Sequence, residues 1–363
     1  MNAAAPAPVS VAQAPLCRFS RRLLEAAGAT EAHAKIVADH LLEADTMGLR
    51  SHGFMRLPQY LAEITSGEID PAAKAAIRRL APGRAEVDGG RGFGQVVGTA
   101  IADTAIRLAR ETGVSFVAGR HIGHTGRIGA YSERMAREGF VGIAVCSGPR
   151  SGHWVAPFGG REGRISTNPI AFAAPRAGAR PISADFSTSV APEGVIRSLM
   201  NHGLPAPSGA LRDSAGRPTS DPAALYARPR GAIQPLGESV GYRGTALAIL
   251  VEILAALLAG DETDDLARKG SNLAMIAIRP DGGFGVRAAR MTAYLATCAP
   301  IDPTRPVMIP GDREHAAAAR LGPGPIEVDG PTWKAMCAAA GNIEIPITST
   351  IRPKSVPLQT ALR

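Results

Sequence analysis

Short β-rich apolar runs alternate with helical stretches along the middle of the chain, and this alternation limits the fold more than any other feature. VSFVAG (114–119), VGIAVCSG (141–148), AFAAPR (171–176) and PISADFS (181–187) read as strands. RIGAYSERMAREG (127–139) separates the first two as a helix, and a helix over 244–259 precedes a further strand, NLAMIAIRP (272–280). Strands alternating with helices predict a layered α/β domain with the sheet in the middle. A chain of 363 residues is long enough to build this in two or three lobes. The expected division is an Ala/Pro-rich disordered arm (1–16), a mainly helical N-terminal domain (17–113), an α/β domain (114–290) and a C-terminal segment (291–363). That last segment reads as a loop followed by helices that return to the N-terminal helices. The arm MNAAAPAPVSVAQAP has neither a basic start nor a continuous apolar run, so it does not read as a signal peptide. The most apolar run, TALAILVEILAALLAG (245–260), is shorter than the ~20 residues of a membrane span. It also contains Glu252, so it reads as a buried helix of a soluble, cytoplasmic protein.

The stretch AEVDGGRGFGQVVG (85–98) reads as a strand, a turn and a helix start, and its glycines invite comparison with a dinucleotide fingerprint. Gly92, Gly94 and Gly98 give GxGxxxG rather than GxGxxG. A helical pattern, rather than a second strand ending in an acidic residue, occupies the next ~20 positions. A Gly-rich turn is therefore favoured over a Rossmann loop.

Farther upstream, Thr30 can cap a helix whose apolar face is Ala34, Val37, Ala38, Leu41 and Ala44, with Gly48 suited to stop it. RSHGFMRLPQY (50–60) follows directly. A second helix over 53–64 would let His52 and Arg56 share one face, beside Ser51. GRHIGHTGRIGAY (119–131) places His121 and His124 in a Gly-rich turn between strand and helix, with Arg127 adding charge. A helix start of this kind can hold an anion; a structural turn and a metal site are the alternatives. No carboxylate or thiol stands nearby at ligand spacing, so no metal is expected. Cys17, Cys146, Cys298 and Cys337 are far apart and show no CxxC, which suggests reduced thiols. The net charge of +8 is spread along the chain and only 4% of residues are aromatic, a poor match to nucleic-acid binding. A small anionic substrate or cofactor is the better use of local positive charge.

Several ordered blocks then converge. AD.MGLRSHG..RLPQY, GHTGR.GAY, VAPFGGRE.R.STNPIAFA.P, DFSTSVAPEG, LP.....LRDSAGRPTSDP, GYRG.ALA.LVEIL and MIPGDRE resemble the malate/L-lactate dehydrogenase family, whose nucleotide-binding domain is not Rossmann-like. The resemblance runs from about residue 17 to about residue 340 and also covers ureidoglycolate, sulfolactate and 3-dehydrogulonate dehydrogenases and cyclic-imine reductases. It implies a non-Rossmann NAD(P)-binding layered α/β domain with a mixed sheet, plus a helical domain formed by the two termini. It also implies a homodimer with its active site near the subunit interface, NAD or NADP as cofactor, and a small carboxylate substrate. Neither nucleic acid nor membrane is expected as a partner.

By the same resemblance His52 is the proton donor, Ser51 its hydrogen-bonded neighbour and Arg56 the carboxylate-binding cation. His124 belongs to the loop on the nicotinamide side, and Thr167 and Asn168 form a substrate and cofactor edge. Thr125, Gly126, Ser147, Asp185, Phe186, Ser187, Arg243 and Gly311 complete the cofactor-binding set. The chemistry agrees: histidine is a natural proton donor near neutral pH, and arginine can orient a carboxylate by two parallel hydrogen bonds. Three positions depart from the family pattern. Tyr242 and Arg243 stand where many relatives have His-Lys, and Val195 stands where many have Lys and some imine-reducing relatives have Asp. The expected activity is interconversion of a 2-hydroxy and a 2-oxo acid. A cyclic-imino-acid reductase and an inactive paralogue that only binds are the alternatives.

Overall fold

In a computed structural model of the chain, residues 7–261, 263 and 270–341 are described. They divide into two compact units, one formed by the residues up to Ala72 and from Glu314 onward, the other by Ala73–Arg313. The first unit begins with strand β1 (Val9–Val11) and helices α1 (Gln13–Ala26), α2 (Glu31–Thr46) and α3 (Leu57–Thr65). Thr30 caps α2 as expected, its side chain accepting from the backbone N–H of His33 at 3.2 Å. Ala34, Val37, Ala38, Leu41 and Ala44 are all fully buried.

The second unit is built on β2 (Ala76–Ala81), β3 (Arg84–Gly92), α4 (Gly94–Thr112), β4 (Val114–Ile122), α5 (Gly129–Arg137), β5 (Val141–Ser147), β6 (Ile170–Ala174) and β7 (Ile182–Phe186). After it come α6 (Glu193–Asn201), the two-residue strands β8 (Leu211–Arg212), β9 (Pro218–Thr219) and β10 (Ala232–Ile233), then α7 (Tyr242–Val251), β11 (Ser271–Ile278) and α8 (Phe284–Ala296). The main sheet runs β2-β3-β4-β11-β5-β6-β7. Only β3 and β4 pair parallel, joined through α4; every other neighbour is antiparallel. This is the expected mixed sheet, and it is not a doubly wound Rossmann sheet.

Side chains alternate across this sheet. Val87, Val117, Ala144, Ala171 and Met275 face α4 and α5, where they meet Val97, Ile101, Leu108, Tyr131 and Met135. On the other face Ala118, Val145 and Ala274 meet Val251, Ala255 and Ala259 at the end of the α7 stretch. Phe172 and Ile182 meet Ala288 of α8. The glycines of the failed fingerprint have packing duties. A Cβ on Gly94 would lie 2.3 Å from the carbonyl oxygen of His124, and one on Gly98 would lie 2.4 Å from the Tyr131 ring. That ring is held by its hydroxyl, which donates to the carbonyls of Thr125 (2.6 Å) and Gly94 (3.2 Å).

The chain returns to the first unit through α9 (Asp312–Leu321), β12 (Ile326–Val328) and α10 (Gly330–Ala340). β12 pairs antiparallel with β1, and Trp333 meets Phe19 edge-on with ring centroids 5.7 Å apart. The C-terminal helices α9 and α10 therefore do join the N-terminal ones. Three sequence expectations change. β2 and β3 are strands of the sheet and α4 packs on it, so the first boundary falls after Ala72 rather than 113, and the last after Arg313 rather than 290. The arm expected over 1–16 already forms β1 at Val9 and α1 at Gln13; residues 1–6 and 342–363 lie outside the described residues. Finally, the apolar helix is not buried all round. Tyr242–Ala259 is long and apolar enough for a short membrane span by length and composition, but only 39% of it is buried. One side packs on the sheet, while Ile249, Leu250, Ile253, Leu257 and Leu258 are exposed.

Candidate active site

In the first unit, Ser51, His52 and Arg56 lie together in one turn. The expected helix from 53 does not form. Two single 3-10 turns, Arg50–His52 and Phe54–Arg56, flank Gly53, and α3 begins only at Leu57 with proline in its first turn. The Asp45 side chain explains the break. Its Oδ2 accepts from the Phe54 N–H at 2.8 Å, and a Cβ on Gly53 would lie 2.2 Å from the carboxylate. Ser51 Oγ and His52 Nδ1 are 2.9 Å apart. Arg56 is 8% exposed, donating from Nε to the Ser51 carbonyl (2.7 Å) and from Nη1 to Gln59 Oε1 (2.8 Å). Gln59 in turn donates to Glu63 at 2.7 Å. These bonds use two of the guanidinium's five donors. Arg56 thus braces the turn.

Burial pushes the Asp45 carboxyl up to about 7, against the hydrogen bond from Phe54 and the charge of Arg50, which lower it. A carboxyl raised on folding binds a proton that the unfolded chain has already lost. Its contribution to stability is therefore fully present below the ordinary value, falls as pH rises from about 4 to about 7, and stays low above that. The loss is on the order of a few kcal/mol. We expect Asp45→Asn, which cannot titrate, to flatten the melting temperature against pH over this window. Parallel profiles for the two proteins would show that Asp45 is not the titrating group.

In the second unit, the loop between β4 and α5 carries His124, Thr125, Gly126 and Arg127. His124 is half-buried, and Gly126 has φ +66° with its N–H directed to His124 Nδ1 at 3.4 Å. Thr125 is buried over Cys146, with Oγ1 and Sγ 3.4 Å apart. Protein carboxylates occupy two groups expected to attract an anion. Arg127 forms a buried two-pronged pair with Glu133 at 2.9 Å on each arm, and the Gly129 N–H donates to Asp185 Oδ2 at 2.7 Å. Asp185 therefore caps α5 from β7.

Thr167, Asn168 and Ser187 are neighbours: the Thr167 carbonyl accepts from Ser187 Oγ (3.0 Å) and Thr188 Oγ1 (3.2 Å). Asn168 is fully buried with φ +38°, and its Oδ1 has no hydrogen-bond partner among the described residues. Its Nδ2 donates to the Ala248 carbonyl (3.0 Å) and to Glu252 Oε1 (2.9 Å), and Ser147 Oγ donates to Glu252 Oε2 at 3.0 Å. Phe186 is 40% exposed at the end of β7. Gly311 has φ +96°, and a Cβ there would lie 2.8 Å from Ser183 Oγ on the same strand. Arg243 is exposed, its guanidinium over the Tyr242 ring at 5.6 Å. Tyr242 leans edge-on against Phe158, and Val195 packs on the apolar cluster of Val155, Ile196, Leu199 and Leu225. A cavity of about 240 Å³ beside Arg78, Asp88 and Arg120 includes none of the expected site residues in its lining. Among the described residues no group of three His, Cys, Asp or Glu side chains could hold a metal.

Sequence reasoning missed Asp45, Gln59 and Glu252 as supports. Only Glu252 left a local signal, as the single charge in the apolar run 245–260.

The sequence profile of the malate/L-lactate dehydrogenase family matches residues 11–337. Hydroxycarboxylate dehydrogenase B of Escherichia coli O157:H7 is 32% identical over 341 residues, 90% of this chain and 92% of that protein. Delta(1)-pyrroline-2-carboxylate reductase 2 of Burkholderia multivorans is 36% identical over 242 residues, 67% and 68% of the two chains. The structure of malate dehydrogenase from Pyrococcus horikoshii superposes with a TM-score of 0.82 at 29% identity, covering 93% of this chain and 96% of that one.

Proposed function

The chain belongs to the malate/L-lactate dehydrogenase family of oxidoreductases, and from that premise we propose that it interconverts a small 2-hydroxy acid and the matching 2-oxo acid with NAD or NADP. The observation that carries this reading is the 2.9 Å contact of Ser51 Oγ with His52 Nδ1 in a turn braced by Arg56. A serine hydroxyl can donate to Nδ1 of the neutral ring or accept from it when the ring is protonated. It therefore holds the ring in place in both states, and Nε2 is the atom assigned to exchange a proton with the substrate oxygen. Arg56 orients the substrate carboxylate.

When bound, the reduced nicotinamide supplies the hydride that joins C2 while the proton joins oxygen. The residues present fit such a group. Asn168 Oδ1 is a buried acceptor without a partner among the described residues, which a carboxamide N–H can satisfy. His124, Thr125, Gly126, Ser147 and Ser187 offer hydroxyl, imidazole and backbone groups, and exposed Arg243 suits a phosphate. Thr167 forms the adjoining edge, and Asp185, Phe186 and Gly311 shape β7 beside it.

We infer a homodimer as well, and the exposed apolar side chains support that reading. Ile249, Leu250, Ile253 and Leu257 on the α7 stretch, and Val286, Met291, Tyr294 and Leu295 on α8, are exposed, and exposed apolar patches mark interaction sites. Four free cysteines suit the reducing cytoplasm. The second reading, reduction of a cyclic imino acid, has the Burkholderia relative in its favour. Against it stands Val195, apolar and packed where a relay carboxylate would be needed.

Oxidation of NADH and of NADPH should be followed with pyruvate, oxaloacetate, sugar keto-acids and cyclic imines. We expect turnover with at least one 2-oxo acid. Turnover with the imines alone would transfer the assignment to the second reading, and binding of neither nucleotide by fluorescence titration would overturn both.

A further inference from the structure

A glutamate near the centre of an apolar helical run is costly to bury unless its hydrogen bonds are met. Glu252 is 6% exposed and stands where regular α7 gives way to a π-helical turn, Glu252–Ala256. Such turns often mark functional sites. Its carboxylate accepts from Ser147 Oγ at the end of β5 (3.0 Å), Asn168 Nδ2 before β6 (2.9 Å) and Thr263 Oγ1 (3.0 Å). The Asn168 amide can face only one way. Turned over, its oxygen would oppose both the Glu252 carboxylate and the Ala248 carbonyl, so Nδ2 points to the helix and Oδ1 points away as a buried acceptor without a partner among the described residues. The same residue has a left-handed φ of +38°, and asparagine tolerates this better than most side chains.

We propose that Glu252 is a positioning residue that fixes the Asn168 amide and the Ser147 hydroxyl, and through them the edge on which the nicotinamide cofactor binds. This rests on the reading above that Ser147 and Asn168 line that site. Glu252 itself does not touch the reacting atoms.

The test is a double-mutant cycle on the full chain, read by NADH and NADPH fluorescence titration in the absence of a second substrate, with melting temperature as the folding control. Glu252→Gln keeps the shape and one acceptor oxygen, so the protein is expected to fold. Its dissociation constant for the preferred nucleotide should rise roughly tenfold, as expected for weakening a hydrogen bond to a charged group. Asn168→Ala should weaken binding by itself, and adding Glu252→Gln to it should cost clearly less than Glu252→Gln costs in the wild type, because one of the two groups the glutamate fixes is already gone and only Ser147 is left for it to hold. Full additivity of the two losses, or a Glu252→Gln protein that binds as tightly as the wild type while Asn168→Ala does not, would overturn the positioning role alone. If Asn168→Ala and Ser147→Ala both bind like the wild type, the cofactor edge is misplaced and this inference falls with it.

Discussion

Replacing His52 with alanine is expected to lower turnover by roughly 10²–10⁴-fold, the usual worth of a positioned general acid, with nucleotide binding retained. The substitution removes the ring that contacts Ser51 Oγ at 2.9 Å, while the Asp45 bond to the Phe54 N–H and the Arg56 bond to the Ser51 carbonyl still define the turn. The folded state should therefore survive, and near-normal kcat in the folded variant would remove His52 from the mechanism. If the proposed function holds and the Ser51 hydroxyl orients the ring, Ser51→Ala should cost less than His52→Ala.

Arg56→Lys is expected to weaken the substrate's transition state by roughly 2–5 kcal/mol, by analogy with truncated charge pairs in desolvated sites. Lysine keeps the charge but loses the planar fork. The braced geometry raises a competing explanation. Arg56 ties the Ser51 carbonyl to Gln59, and burial pushes the carboxyl of Glu63, at the end of that chain, above its ordinary value. A purely structural Arg56 would disturb His52 whatever the substrate. Comparing kcat/KM for a 2-oxo acid and for its amide separates the two. A carboxylate clamp predicts a large loss with the acid and a much smaller one with the amide; equal losses would leave Arg56 as a brace only.

Much of the second unit was legible because its signals are local. The alternation of VSFVAG, VGIAVCSG and NLAMIAIRP marks β4, β5 and β11, and the apolar stripe behind Thr30 marks α2. The adjacency of Ser51 and His52 needed no fold at all. The turn that carries them was less legible. Periodicity suggested a helix from 53, whereas the Asp45 carboxylate, eight positions upstream of Gly53, leaves no room for a side chain there and takes the Phe54 N–H. The glycines at 94 and 98 were visible as a pattern, but their reason lies in the His124 carbonyl and the Tyr131 ring, which only packing brings to them.

The sequence by itself thus determined the α/β class and most strands and helices, because each depends on neighbours within about four positions, whereas the roles expected of His52 and Arg56 came from the resemblance to the family. The tertiary structure alone decided that β2 and β3 join the sheet with α4 packed on it, that Asp185 caps α5 from 56 residues away, and that Glu252 gathers Asn168 and Ser147 from 84 and 105 residues away. Those contacts follow from the order β4-β11-β5-β6-β7. Strand order brings distant segments side by side, and hydrophobic periodicity carries no record of which strands will be neighbours.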